Sequence, residues 1–380
     1  MKVMTILGTR PEIIRLSLVI KLLDRFADHV LVDTGQNYDD RLSGLFYREM
    51  GVRKPDFFLG VRGSGFGEQV GQILTRIEPL LLEHRPDRLL VLGDTNSGLT
   101  ALVARRLGIP VYHMEAGNRC FDFRVPEEAN RRTIDHVSSV LMPYTYRSRD
   151  NLLREGFSPE SIFVTGNPIK EVIDHHSTSI AQSEALGRLG LAVKKYFLVT
   201  MHRAENVDVE SRLRNLVQAL ALLQEEYGLP VVCSLHPRTR AKVKEFGIDL
   251  DRTGLLFAEP FGFFDFVCLE QSAFCLLSDS GTVQEEACIF HVPNVTIRDV
   301  TERPETIECG SNVLAGCDPA LITPLVRLVT ERPADWRPPV EYLAGNVAGT
   351  VCKIVLGYAP SGVSEFENPG LLRQPQTTQG

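Results

Sequence analysis

The sequence predicts an α/β protein of two Rossmann-like domains facing a shared cleft, each a parallel sheet with helices on both faces. Three observations carry that prediction. Short apolar runs alternate with longer amphipathic segments, the pattern of successive βα units. The pattern runs twice within 380 residues, a length that suits two or three domains. Nearly every apolar run also ends in polar or ionisable residues, the place where open parallel sheets bind ligands.

The elements follow in order. Val3-Met4-Thr5-Ile6-Leu7 reads as a buried strand. After Pro11, apolar residues at Ile13, Ile14, Leu16, Leu18, Val19, Leu22 and Leu23 fit an amphipathic helix. His29 to Asp33 is a second strand, Phe66 to His84 a helix, and Arg88 to Leu92 a third strand with a helix after it from Asn96 to Leu107. Pro110 to Met114 is a fourth strand and Glu127 to Val137 a helix; strands near Leu141 and at Ile162 to Thr165 close the first half. In the second half, Tyr196 to Thr200, Val231 to Leu235, Phe274 to Ser278 and Asn294 to Ile297 read as strands, and Gly281 opens a helix. The expected domains are residues 1–170 and 171–359, with the last helix free to pack back on the first domain. The tail, 360–380, is rich in Pro, Ser, Gln, Thr and Gly and reads as disordered.

Composition narrows the function. Hydrophobic residues are 43% and charged residues 23%, as in ordinary globular proteins. A net charge of −7 argues against a general nucleic-acid binder. No apolar run approaches the roughly 20 residues of a membrane span, and the start, MKVMTILGTRPE, is too short for a signal peptide. The expectation is a soluble, cytoplasmic protein with neither membrane nor nucleic acid as a partner. The eight cysteines include no CxxC and read as reduced thiols rather than zinc ligands or disulfides. No H-x-x-x-H spacing suggests a metal, and no G-x-x-x-x-G-K-[ST] suggests a Walker-type NTPase.

The segments after the strands carry the candidate chemistry. In Asp279-Ser280-Gly281-Thr282-Val283-Gln284-Glu285-Glu286 a buried strand runs through Ser-Gly into a helix. Unpaired N–H groups at such a helix start can hold a diphosphate, although the same segment also suits a plainly capped helix. Glu286 is placed to accept hydrogen bonds from a ribose, and Arg10, His236 and Arg303 are candidate counter-charges. Asp94, Glu115 and Glu127 in the first half, with His202 in the second, are candidate acids and bases. Glu127 and Glu128 at a helix start equally suit the helix dipole, His202 equally suits a structural role, and His113, inside a strand, reads as structural.

Taken together, GTRPEIIR, GDTNSGLTA, HMEAGNR, VPEEANRR, TGNP, MHRAEN, DSGTVQEEA and RDVTERPE resemble the non-hydrolysing UDP-N-acetylglucosamine 2-epimerase family, in family order, from about residue 1 to 357. The resemblance implies a GT-B type fold, a reaction without metal or NAD and no other cofactor, a UDP-sugar substrate, and a homodimer. It implies inversion of carbon 2 by loss of UDP to a 2-acetamidoglucal and re-addition. By motif, the acid–base carboxylates fall on Asp94, Glu115 and Glu127, and a further catalytic residue on His202, where Met201 replaces the family's glycine. Arg10, Ser280 and Gly281 fall on diphosphate positions, Glu286 on the ribose carboxylate, Arg131 on a sugar-site arginine, and Arg303 and His236 on UDP contacts. Arg15 stands where many members carry lysine.

Two departures qualify the resemblance. Many members read T-G-Q-H-R-E-M where this chain has Thr34-Gly35-Gln36-Asn37-Tyr38-Asp39-Asp40, which implies that a second UDP-N-acetylglucosamine is not an obligatory activator. The run from Ala116 to Asp122, with Thr282, resembles a branch that epimerises 6-deoxy sugars toward UDP-N-acetyl-L-fucosamine. The expected function is interconversion of UDP-N-acetylglucosamine and UDP-N-acetylmannosamine. A UDP-2-acetamido-2,6-dideoxy-L-hexose 2-epimerase and a GT-B glycosyltransferase are the alternatives.

Overall fold

A computed structural model describes residues 1–36, 40–63, 65–235, 237–250 and 255–359; of residues 40–43 it describes the backbone alone. The expected disordered tail, 360–380, lies outside the described residues, as do His236 and the departing residues Asn37 to Asp39.

Two six-stranded sheets organise the chain, and every recorded strand pairing is parallel. The first contains β1 (Lys2–Leu7), β2 (Asp28–Asp33), β3 (Phe57–Phe58), β4 (Arg88–Leu92), β5 (Val111–Met114) and β6 (Val140–Met142). The second contains β7 (Phe197–Met201), β8 (Val231–Leu235), β9 (Leu256–Ala258), β10 (Cys275–Ser278), β11 (Asn294–Thr296) and β12 (Asn312–Leu314). The first sheet runs β3-β2-β1-β4-β5-β6 and the second β12-β11-β10-β7-β8-β9. Both have the Rossmann strand order, which reverses direction between β1 and β4 and between β7 and β10. A crevice opens at such a reversal beyond the carboxyl ends of the strands, so each sheet has one defined place for a ligand.

Strand apolarity follows from burial on both faces. In β7, Phe197, Val199 and Met201 pack into one core with Leu213, Leu216 and Leu220, while Leu198 packs with Val232, Leu276 and Val283 on the other face. Such strands read as continuous hydrophobic runs. In the first sheet, Met4, Ile6, Val32, Leu89 and Val91 meet Ile77, Leu81 and Ile134. The run at Ile162 to Thr165, expected as a strand, makes only an isolated bridge from Ile162 to Leu141. One bridge does not extend the sheet. The short edge strands β3, β9 and β12 were not expected.

The chain forms two compact units: Met1–Pro168 together with the described residues from Ala344 on, and Ile169–Leu343. The helix Val347–Gly357 belongs to the first unit and packs on the helix Arg10–Phe26. Arg88 donates to the Val355 carbonyl, and the Tyr112 hydroxyl donates to the Tyr358 carbonyl at 2.5 Å. Among the described residues no helix is long and apolar enough to cross a membrane.

Candidate active site

In the first unit the reversal point lies between the segments after β1 and β4. The β1 segment turns at Gly8, where any side chain would run into Thr34 and Ser97, and then starts the helix Arg10–Phe26. Glu12, in the first turn of that helix, is buried and folds back on its own loop. It accepts from the Gly8 N–H at 3.1 Å and the Thr9 hydroxyl at 2.7 Å, and from the Thr95 hydroxyl after β4 at 3.1 Å. Burial pushes its carboxyl up to about 8, against the pull of these donors and of the Thr9 N–H.

Asp94 and Glu115 lie beside this crossing, each facing a guanidinium. Asp94 Oδ2 receives Arg131 Nε at 3.1 Å and Nη2 at 2.6 Å. Glu115 Oε2 lies 3.3 Å from Arg15 Nη1, and its Oε1 receives Asn118 Nδ2 at 3.0 Å. Both arginines are buried, and Arg15 also lies on the Tyr144 ring, 5.7 Å from the centroid. A planar donor fork suits this orientation of carboxylates. Glu115 has φ +66, the left-handed region that a non-glycine residue occupies at a cost of about 1–3 kcal/mol. Its N–H donates to the Met142 carbonyl at 3.0 Å, and Gly117 follows at φ +80, where a Cβ would strike the Ser148 carbonyl. The strained turn aims Glu115 off the end of β5.

Helix Glu127–Val137 supplies the remaining groups. Glu127 is its half-buried first residue. Glu128 is fully buried and accepts from Arg131 at 2.9 Å, Arg132 at 3.0 Å and the Cys120 N–H at 3.1 Å. Arg131 therefore bridges Glu128 and Asp94, while Asn130 donates to the Asp94 carbonyl at 3.0 Å. Deeper still, Asp135 meets His113 Nδ1 at 2.8 Å, Arg119 at 2.8 Å and the Gly117 N–H at 3.2 Å. His113 Nε2 lies 2.8 Å from the Gly93 carbonyl, so one buried carboxylate braces the turns that carry both Asp94 and Glu115. Burial works against ionised Asp135, yet His113 and Arg119 outweigh it and hold its carboxyl below the usual range. Arg10 opens the helix after β1, with its guanidinium 5.8 Å from the Phe46 ring centroid.

In the second unit the reversal point lies between the segments after β7 and β10. Asp279 is fully buried there and accepts the N–H groups of His202 and Arg203, both at 2.9 Å, and Asn206 Nδ2 at 3.3 Å. His202 Nδ1 lies 3.0 Å from Asp279 Oδ1. Burial pushes Asp279 up, but His202 and the two N–H donors overcome it and bring the carboxyl to about 2. The imidazole is thus oriented from behind, with Nε2 on the side away from Asp279.

Ser280 is extended and its side chain does not cap the helix Gly281–Phe290; its hydroxyl meets Thr282 at 3.0 Å instead. The helix therefore starts with N–H groups that its cap residue leaves to other acceptors, and Arg303 lies beside it. A Cβ on Gly281 would sit 3.7 Å from the Arg303 guanidinium carbon, and Arg303 itself is held by Glu285. Arg298, buried between Glu302 at 2.9 Å and Glu205 at 3.0 Å, fixes the loop that carries Arg303. Dipole, N–H groups and guanidinium together have the chemistry to hold an anion. Glu286, also buried, is on the same helix.

The structure gathers Asp94, Glu115, Arg15 and Arg131 in the first unit, with Glu127 on the helix that supplies Arg131. It gathers His202, Ser280, Gly281 and Arg303 in the second, with Glu286 further along the same helix. Sequence reasoning missed Glu12, Asn118, Asp135, Asp279 and Arg298 as site residues. Glu12 and Asp279 stood inside segments already singled out after strands, a signal that could have found them.

A family model described as UDP-N-acetylglucosamine 2-epimerase matches residues 22–356. A UDP-N-acetylglucosamine 2-epimerase of Methanocaldococcus jannaschii is 41% identical over 347 residues, 89% of this chain and 95% of that protein. A UDP-2,3-diacetamido-2,3-dideoxy-D-glucuronate 2-epimerase of Pseudomonas aeruginosa is 40% identical over 320 residues, 83% of this chain and 88% of that protein. A crystal structure of the Methanocaldococcus jannaschii UDP-GlcNAc 2-epimerase in complex with UDP-GlcNAc and UDP matches with a TM-score of 0.89 at 40% identity, over 93% of this chain and 99% of that one. The glycosyltransferase WaaG matches with a TM-score of 0.58 at 14% identity, over 94% of this chain and 100% of that one, a likeness of the GT-B fold alone. With most of its length matched by the family model and by relatives near 40% identity, this chain belongs to the UDP-N-acetylglucosamine 2-epimerase family.

Proposed function

We propose that this chain is a non-hydrolysing UDP-N-acetylglucosamine 2-epimerase that interconverts UDP-N-acetylglucosamine and UDP-N-acetylmannosamine. The observation that carries the reading is the pair of carboxylates at the first reversal point, Asp94 and Glu115, each oriented by a buried arginine. The carbon-2 proton is barely acidic, so a base must act on one face of the sugar and an acid on the other. Asp94, Glu115 and Glu127 supply those groups, and Arg131 and Arg15 hold the first two in place. Loss of UDP also demands stabilisation of the leaving diphosphate. The N–H groups at Ser280 and Gly281, with Arg303 and His202, serve that end, and Glu286 takes the ribose. Arg10 and His236 are assigned to UDP by motif alone. The 2-acetamidoglucal then re-adds UDP after protonation on the other face.

The 6-deoxy-L-hexosamine reaction and glycosyl transfer are not favoured: relatives near 40% identity carry 2-epimerase names, and the likeness to WaaG is one of fold. The diacetamido-glucuronate relative makes a second sugar worth assaying beside the first. In deuterated water, turnover of UDP-N-acetylglucosamine should place deuterium at carbon 2 with no added metal or nicotinamide. Epimerisation without deuterium at carbon 2 overturns the proton-abstraction mechanism. The same reading takes the enzyme to work as a cytoplasmic homodimer, for which sedimentation analysis should report twice the chain mass.

A further inference from the structure

The second unit sets Glu286 against an acid to which the proposed reaction gives no role. Glu270, near the end of the helix Phe263–Ser272, is fully buried, and that helix packs on the helix Gly281–Phe290. Across the contact, the Glu270 carboxyl meets the carboxyl of Glu286 in a side-chain hydrogen bond, and neither Glu270 oxygen has an N–H or hydroxyl donor among the described residues. Two carboxylates cannot hydrogen-bond each other unless one carries a proton.

The surrounding charges are already engaged. Arg188 pairs with Asp265 on the same helix, and Lys194 donates to the carbonyls of Gln271 and Ala273. His176 lies against the Phe264 ring, with centroids 5.3 Å apart. Tyr196 gives its hydroxyl to the Leu269 carbonyl, Cys268 is a free cysteine, and Glu285 holds Arg303. Burial first, and then the Glu286 charge, push Glu270 well above the usual carboxylate range.

We propose that Glu270 is a positioning residue for the nucleotide: it stays protonated and donates a hydrogen bond to Glu286, holding that carboxylate for the ribose. The proposal rests on the reading of Glu286 as the ribose ligand. Alkaline pH removes the shared proton, sets two buried carboxylates against each other and releases Glu286 from its position.

The test is calorimetric titration with UDP from about pH 7 to about pH 9, above the second phosphate ionisation near 6. Wild type should lose about tenfold or more in affinity across that range, the scale of one hydrogen bond to a charged group. In Glu270→Gln the amide donates at every pH, so most of this loss should vanish. Glu270→Met has no donor and should bind weakly at every pH, with Gln restoring the affinity that Met loses. A flat wild-type profile, or a Glu270→Gln profile parallel to a falling wild type, overturns the proposal and leaves the ribose reading standing. Glu286→Ala with wild-type affinity overturns both.

Discussion

The crossing after β1 and the crossing after β10 are built alike and behave oppositely. Each holds a fully buried carboxylate at a reversal point of its sheet. Glu12 accepts from one backbone N–H and two hydroxyls, and Asp279 from two backbone N–H groups and one amide. Yet Glu12 is pushed up to about 8 and Asp279 is brought down to about 2. Burial raises both. The difference is His202, 3.0 Å from Asp279; among the described residues no cation lowers Glu12 in the same way. Neutral donors do not offset the burial of a charge; a cation together with N–H donors does. Glu12 is therefore a largely neutral clasp between two loops, whereas Asp279 is an ionised post behind a histidine.

The largest effect should separate the two regions by role. Glu127→Gln changes a group on the first unit and should cut turnover by about 10²-fold or more, the scale of a general acid or base. Its UDP affinity, measured by calorimetry, should stay close to wild type. Lost UDP binding in that variant would mean that the roles of the two units are reversed.

A smaller effect should follow from removing the ionised post. Asp279→Asn removes the charge and leaves one acceptor oxygen where the two N–H groups and His202 share two, and should lower the unfolding free energy by about 1–3 kcal/mol. Because folding depresses the Asp279 pKa, its contribution is present above the unfolded value near 3.9 and is lost as pH falls through about 2. Denaturant melts should therefore show the gap between wild type and variant closing in acid. A gap that stays constant to low pH contradicts the ionised assignment.

A third effect, similar in size to the second, should have the opposite sign. Folding raises the Glu12 pKa, so its contribution is full below the unfolded value near 4.3 and is lost as pH rises through about 8. Wild type should lose stability relative to Glu12→Gln by up to about 1 kcal/mol per pH unit over that window. Parallel denaturation curves for the two proteins at about pH 6 and about pH 8 make the comparison. Parallel stability at both values would show that Glu12 is already ionised, like Asp279.

Much of this molecule is legible in one dimension. Strands buried on both faces must be apolar throughout, so β1, β4, β7, β8 and β10 stand out, and their polar ends mark the crevices. Helices such as Phe66–His84 and Glu127–Val137 carry their pattern over several turns, and their bounds agree with the sequence reading. The two- and three-residue edge strands β3, β9 and β12 carry too few side chains for a pattern. Ile162 to Thr165 has the composition of a strand but only one bridge to a neighbour.

The sequence by itself determined the alternation of strands and helices, the strand ends at which polar residues collect, and the motifs that point to a nucleotide-sugar epimerase. Only the tertiary structure decided which of those residues touch. Glu12 reaches Thr95 across 83 positions of the chain, Arg15 reaches Glu115 across 100, and His202 and Asp279 meet from the ends of β7 and β10, which pair directly. Protonation was decided there too. A carboxyl's pKa depends on its burial and on the charge it faces, and both are properties of the packed chain rather than of the residue type.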